Sequence, residues 1–245
     1  MNVGIIIQAR LGSERLPKKV LDKIGSKEML LFLFERLAGI DNLHKIILAT
    51  SDTKEDDLLE DFAKKIGLTC YRGSLDDVLK RFYDCADHFK LDVIIRVTAD
   101  DPFKDPVIIE KGLNIYKNGN FDYVSNTIKP SYPEGIDIEI FSFDALKKAN
   151  ELANLESDRM HVTPYIWQNP HKFRLHNFYD KEDNSDVRIT CDYKEDLDFL
   201  NKIYSYTKND DFSYLDIIEI INKNKIFNKR NTIRNEGYLK DLKKD

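Results

Sequence analysis

Between positions 9 and 19 the chain reads ARLGSERLPKK, a set of side chains suited to holding a polyphosphate. Arg10, Arg15, Lys18 and Lys19 place four cations around Gly12 and Ser13, and Pro17 closes the run. Glycine lets backbone N–H groups approach anionic oxygens closely, a serine hydroxyl donates a hydrogen bond, and guanidinium forks bind phosphate through two parallel bonds. The apolar run at residues 3–7 reads as a buried strand, so this charge gathers where a core strand ends. Surface loops rarely concentrate so many cations directly behind a core strand.

Two acidic positions complement the cations. TADDPFKDP puts Asp100 and Asp101 at the carboxyl end of another apolar run, with Pro102 keeping Asp101 out of helical geometry. RITCDYKEDLDFL puts Asp192 at the end of a further strand candidate, just before a helix. Mg²⁺ takes one or two carboxylates together with phosphate oxygens and water, so these aspartates are candidates to hold a magnesium-bound nucleotide. Asp192 has a competing role as a helix N-cap with Glu195 at the capping-box position, and one backbone placement serves both. Asp101 reads first as a turn residue before proline, which leaves Asp100 the stronger metal candidate. No nucleophilic triad is evident. The parts fit attack of an acceptor oxygen on the α-phosphorus of a nucleoside triphosphate, in which positioning and electrostatics carry the step.

These residues need a frame. Short β-branched runs at 3–7, 45–50 and 92–98 alternate with helical patterns at 29–37, 54–66 and 75–89. Such alternation predicts an α/β protein with a doubly wound, mostly parallel sheet, whose ligands bind beyond the carboxyl ends of the strands. The second half is less regular. Strands are expected at 121–125, 136–141, 173–179 and 187–191, and helices at 143–153, 158–168, 193–206 and 214–222. We expect a single domain over 1–245, with a smaller acceptor-side lobe at about 123–178 and a polar C-terminal arm at about 224–245.

Composition narrows the classes. The 245 residues are 42% hydrophobic and 33% charged, as in a soluble globular chain. A net charge of −5 argues against nucleic-acid binding driven by bulk charge, so the basic loop is a local feature. Cys70, Cys85 and Cys191 lack metal-site spacing and read as small buried side chains. No membrane-length apolar stretch or signal peptide is evident, which makes the cytoplasm the expected location.

IIQARLGSERLPKKVL resembles the opening of the cytidylyltransferases that activate bacterial surface sugars. These include the 3-deoxy-manno-octulosonate and acylneuraminate enzymes and, nearest, the spore coat polysaccharide biosynthesis type. RGSLDDVLKRFYDCA, IIRVTADDPFKDP, YPEGIDIEIFSFDALKKA, SDRMHVTPYI and RITCDYKEDLDFL resemble that group's blocks in the same order. The resemblance implies a Rossmann-like, GT-A-type nucleotidyltransferase fold using CTP and Mg²⁺ on a small-molecule acceptor. It further implies that Arg10, Arg15 and Lys19 bind the triphosphate alongside Gly12 and Ser13, and that Asp100 and Asp192 hold the metal. Ala9, Arg10, Arg72, Ser74 and Thr98 would face cytosine and ribose, while Asp137, Glu139, Arg159 and His161 would face the acceptor. Ala99 and Asp101 depart from the family pattern, and Asp101 adds a negative charge that would tune metal binding or repel an acidic acceptor. Glu139 alternates with Ile138 and Ile140, so an exposed strand face also explains it. A homodimer through the second lobe is a further expectation. The rival readings are a GT-A glycosyltransferase and a non-catalytic nucleotide-binding module.

Overall fold

The computed structural model describes residues 1–227 and 236–242. In chain order it contains β1 (Val3–Gln8), β2 (Lys23–Ile24), β3 (Lys27–Glu28), α1 (Met29–Ala38), β4 (Lys45–Ser51), α2 (Asp57–Lys65) and β5 (Thr69–Gly73). There follow α3 (Val78–His88), β6 (Val93–Thr98), α4 (Pro106–Asn118), β7 (Tyr123–Ser125), β8 (Glu139–Ser142) and α5 (Phe143–Leu152). The remainder is α6 (Glu156–His161), α7 (Pro164–Trp167), β9 (Leu175–Asn177), α8 (Lys194–Tyr204), α9 (Tyr214–Asn224) and α10 (Glu236–Asp241).

Seven strands form one sheet in the order β5-β4-β1-β6-β8-β7-β9. β5, β4, β1 and β6 run parallel, and β8 alone among its neighbours is antiparallel. β1 is buried on both faces because its apolar residues alternate between two cores: Ile5 and Ile7 join one, Ile6 the other. After β5 the chain returns to the far side of β1 to form β6, so the strand order reverses at β1. Crevices beyond the carboxyl ends of strands at such a reversal are where open α/β sheets bind ligands. Gln8 pairs with Thr98 in register, and Ala99 N–H donates to the Gln8 carbonyl at 3.0 Å. The loops carrying Arg10 and Asp100 therefore leave the sheet side by side.

The second half differs from expectation in three places. The helix expected at 158–168 is two short helices, α6 and α7, separated at Val162, whose φ of 74° lies in the left-handed region. Residues 187–191 form no strand; Glu134 and Arg188 make an isolated bridge there. β8 begins only at Glu139; Ile136 and Ile138 lie outside the sheet while remaining in the core. Part of the expected arm, 228–235 and 243–245, lies outside the described residues.

Candidate active site

The basic loop is fixed at its root rather than left free. Leu11 is fully buried, and its N–H donates to Asp56 Oδ1 at 2.8 Å. Asp56, itself buried, also accepts from Thr50 and Ser51 at the end of β4. Lys18 N–H closes the loop onto the Leu11 carbonyl at 3.0 Å. Lys18 then adopts φ 60°, a conformation unusual for a residue with a side chain, and the next residue, Lys19, turns inward and is buried.

Lys19 reaches both candidate metal ligands. Its Nζ lies 2.8 Å from Asp100 Oδ2, 3.0 Å from Asp192 Oδ1 and 2.8 Å from the Cys191 carbonyl. Two carboxylate oxygens sharing one ammonium are no more than about 6 Å apart. Arg15 binds the same Asp192 oxygen at 2.5 Å, while Arg188 holds the other at 2.8 Å. Burial pushes the Asp100 carboxyl up, but the Lys19 ammonium outweighs it and holds the group below the usual carboxylate range. Burial likewise pushes Lys19 down, and the two carboxylates more than reverse this, so the ammonium stays charged.

The competing cap role of Asp192 does not occur. The N-cap of α8 is Tyr193, one residue later than expected, and Asp196 at N3 accepts from the backbone N–H groups of both Asp192 and Tyr193 at 2.9 Å. Asp192 thereby keeps its carboxylate for cations. Asp101 also differs from expectation: it is buried, pairs with buried Lys104 at 2.8 Å and accepts from Thr98 at 2.8 Å. Its charge is paired within the fold, at the wall of the acceptor-side cavity described below.

Two adjoining cavities open here. One, about 640 Å³, is lined by Ala9, Arg10, Ser13, Arg15, Lys19, Thr98 and Asp100, all expected from the sequence to touch nucleotide or metal. The other, about 460 Å³, is lined by Asp137, Glu139, His161 and Asp192, all expected at the acceptor or metal. Arg15, Thr98, Asp100 and His161 line both, so the seam between the cavities is the Asp100 region. Arg10 is exposed at the first cavity. Lys240 and Asp241 of α10 line the first cavity and Leu239 the second, with Asp241 Oδ2 2.9 Å from His161 Nε2.

Four expected residues are elsewhere or otherwise engaged. Gly12 lines neither cavity; a Cβ there would come within 2.9 Å of Glu55 Oε2. Arg72 points away, donating to the Ser51 and Thr53 carbonyls and pairing with Asp57 and Glu60. Ser74 Oγ accepts from Asp77 N–H at 3.0 Å, ahead of α3. Arg159 binds Asp77 and the Asn150 and Ala153 carbonyls. Glu139 does line the second cavity, but not as an exposed strand residue. It is buried, with Arg96, Tyr123 and Thr163 all donating to its carboxylate. The strand face opposite Ile138 and Ile140 is a buried polar cluster rather than solvent.

Sequence reasoning overlooked Arg81, Arg96 and Lys104. Lys104 sits in TADDPFKDP and bonds the Asp137 carbonyl at 2.6 Å, so its three-residue spacing from Asp101 was the available signal. Arg96 interrupts the apolar run at 92–98, where a charged residue inside a core strand invites a search for its partner. No group of three or more His, Cys, Asp or Glu suited to a metal occurs among the described residues. A divalent ion held by Asp100 and Asp192 would have to draw its other oxygens from a ligand and water. The donor set fits: two carboxylates already gathered around one cationic group, and hard oxygens, are what Mg²⁺ accepts.

A basic loop and two aspartates thus meet beside the strand-order reversal of a mostly parallel sheet, where open α/β sheets bind ligands. The family profile described as cytidylyltransferase matches residues 4–233, and the chain belongs to that family. It is 36% identical over 241 residues to the uncharacterized protein MJ1063 of Methanocaldococcus jannaschii, covering 97% of this chain and 98% of the relative. It is 34% identical over 232 residues to the spore coat polysaccharide biosynthesis protein SpsF of Bacillus subtilis, covering 91% and 95%. A solved cytidylyltransferase from Leptospira borgpetersenii is similar at a TM-score of 0.89 and 34% identity, over 96% of this chain and all of that one. CMP:2-keto-3-deoxy-manno-octonic acid synthetase, solved with CTP, shares the fold at a TM-score of 0.64 and 17% identity, over 84% and 99%. No helix among the described residues is long and apolar enough to cross a membrane.

Proposed function

We propose that this enzyme transfers CMP from CTP to a sugar acid, a sugar phosphate or another phosphorylated small metabolite, releasing pyrophosphate, in surface polysaccharide biosynthesis. The observation that carries this reading is the meeting of two cavities at Asp100. A cation-lined cavity suited to a triphosphate adjoins a mixed polar cavity suited to a small polyhydroxylated acceptor.

In this reading Arg10, Arg15 and Lys19 hold the triphosphate, and Ser13 donates to it. The acceptor oxygen, its proton passing to water where it is a hydroxyl, forms a new bond to the α-phosphorus as the bond to the β-phosphate oxygen breaks, and pyrophosphate leaves with the charge those cations offset. Asp100 and Asp192 hold the magnesium, which when bound neutralises charge on the phosphate oxygens. Arg188 fixes Asp192 from the side opposite Arg15, so the carboxylate keeps its orientation. His161, Asp137 and the buried pair Asp101–Lys104 line the acceptor side. The spore coat relative supports the pathway; the family and the solved cytidylyltransferase support CTP.

The test is a pyrophosphate-release screen crossing four nucleoside triphosphates with sugar phosphates, keto acids and phosphorylated small metabolites. The proposal expects turnover with CTP and magnesium plus one acceptor class. Turnover that needs a nucleotide sugar and releases no pyrophosphate would favour a glycosyltransferase and reject it.

A further inference from the structure

The C-terminal helix α10 is held by the site rather than by a core. Among the described residues none beyond Ile226 joins either apolar cluster, and Leu239 and Leu242 are 42% and 40% exposed. The helix packs against α6, and Asp241 Oδ2 lies 2.9 Å from Nε2 of His161, the last residue of α6. A carboxylate only accepts, so this ring nitrogen carries a proton and donates it to the bond.

His161 is a firm anchor. The next residue, Val162, is fully buried and combines φ 74° with ψ −55°, and Thr163 N–H donates to the His161 carbonyl at 2.9 Å. That is a γ-turn of the strained hand, rare for any residue and more so for a β-branched one. Such a turn persists only where its surroundings fix it, and here Thr163 Oγ1 donates to the buried Glu139 carboxylate.

The anchor sets α10 at the seam of the two cavities. Leu239 lines the second cavity with Ile128, Pro164 and Trp167, an apolar side to an otherwise polar space. Lys240 lines the first, joining Arg10, Arg15 and Lys19 of the basic loop and Arg81 of α3. Cations gathered around one space repel each other, and a ligand carrying several negative charges reverses the sign. A triphosphate therefore favours the docked position of Lys240, and docked Lys240 favours the triphosphate by the same factor.

We propose that α10 is a working part of the site, in which Lys240 contacts the triphosphate and so seats Leu239 at the acceptor wall when nucleotide is bound. The inference rests on the nucleotidyl-transfer reading. It adds a binding residue from the far end of the chain and a physical link between nucleotide occupancy and the shape of the acceptor cavity.

The experiment is calorimetric titration of CTP with Mg²⁺, and of cytidine, into the wild type, Lys240→Gln and Asp241→Ala. Acrylamide quenching of Trp167, the single tryptophan of the chain, is measured on each with and without CTP. Lys240 is exposed, so its substitution tests the contact without disturbing the core. Lys240→Gln should weaken CTP binding about three- to tenfold, the range of a partly screened charged contact, and leave cytidine within about twofold. Saturating CTP should reduce quenching in the wild type and leave it unchanged in Lys240→Gln. Asp241→Ala releases the anchor, so quenching should rise even without nucleotide, and CTP should weaken as in Lys240→Gln. Unchanged CTP affinity in Lys240→Gln, or an equal loss for cytidine, overturns the proposal. So does tighter CTP binding in either variant, which would make α10 an obstruction, and so does quenching that CTP reduces equally in all three proteins. A wild type that binds another triphosphate in place of CTP contradicts the proposed function, while the same comparison made with that triphosphate still decides the role of α10.

Discussion

The Nζ of Lys19 stands 2.8 Å from Asp100 Oδ2, joining the loop after β1 to the loop after β6 through a contact that spans 81 residues of sequence. The same ammonium touches Asp192, just before α8, so a cationic group lies between two carboxylates brought together only by the fold. Asp100→Asn removes a charge without changing shape. We expect it to abolish magnesium-dependent pyrophosphate release and to cost about 1–2 kcal/mol of stability, since Asp192 still pairs with Lys19. Wild-type turnover of the variant with magnesium would remove Asp100 from the site.

The Lys19–Asp100 contact also fixes a pH dependence. The folded carboxyl is held below its ordinary value of 3.8, so its contribution is complete above that value and is lost as pH falls toward the lower folded one. Lys19 is raised above its ordinary 10.5, so its part is complete below 10.5 and lost only in stronger base. The stability gap between wild type and Asp100→Asn, from urea unfolding, should be constant from about pH 5 to 9 and narrow below about pH 4. A gap that stays constant to pH 3 would mean that Asp100 is not paired as described.

Arg15 is exposed at the seam of both cavities and binds Asp192 at 2.5 Å, with its guanidinium 5.3 Å from the Tyr193 ring centre. Arg15→Ala should weaken CTP binding by about 1.5–3 kcal/mol and leave cytidine binding nearly unchanged. Equal weakening of both would place Arg15 away from the phosphates.

Arg72 leads to the opposite expectation from the one its motif invites. Its guanidinium ties the ends of β4 and α2 through two carbonyls and two carboxylates. Arg72→Ala should therefore lower stability by about 1 kcal/mol, with KM for CTP within about twofold of wild type. A large rise in KM at unchanged stability would return Arg72 to the nucleotide.

The contrast between Arg72 and Arg81 shows where sequence reading works and where it stops. Residues 3–7, 45–50 and 92–98 could be read as strands because central parallel strands are short continuous apolar runs, and the residues following them must then lie at one edge. That logic found Arg10, Lys19 and Asp100. Within RGSLDDVLKRF, however, one arginine faces a cavity and the other a neighbouring helix, a choice made by the space at Gly73 and by Asp57 and Glu60 rather than by local spacing. Glu139 was hidden for a related reason. Strand alternation separates two faces but does not say that the second is covered, and Tyr123, Arg96 and Thr163 come from three other elements to cover it. At Asp192 the cap was displaced by one residue because Asp196 already takes both backbone donors. Such long-range satisfaction of polar groups leaves no periodic trace.

In the proposed function a magnesium-bound nucleotide lies between the basic loop and the Asp100–Asp192 pair. Calorimetric titration of CTP into the wild type and Asp100→Asn, each with and without magnesium, tests it. Magnesium should strengthen CTP binding to the wild type by at least about tenfold, the effect of one strong charge-assisted contact, and do little for the variant. Equal magnesium dependence in both proteins, or none in the wild type, would contradict the account.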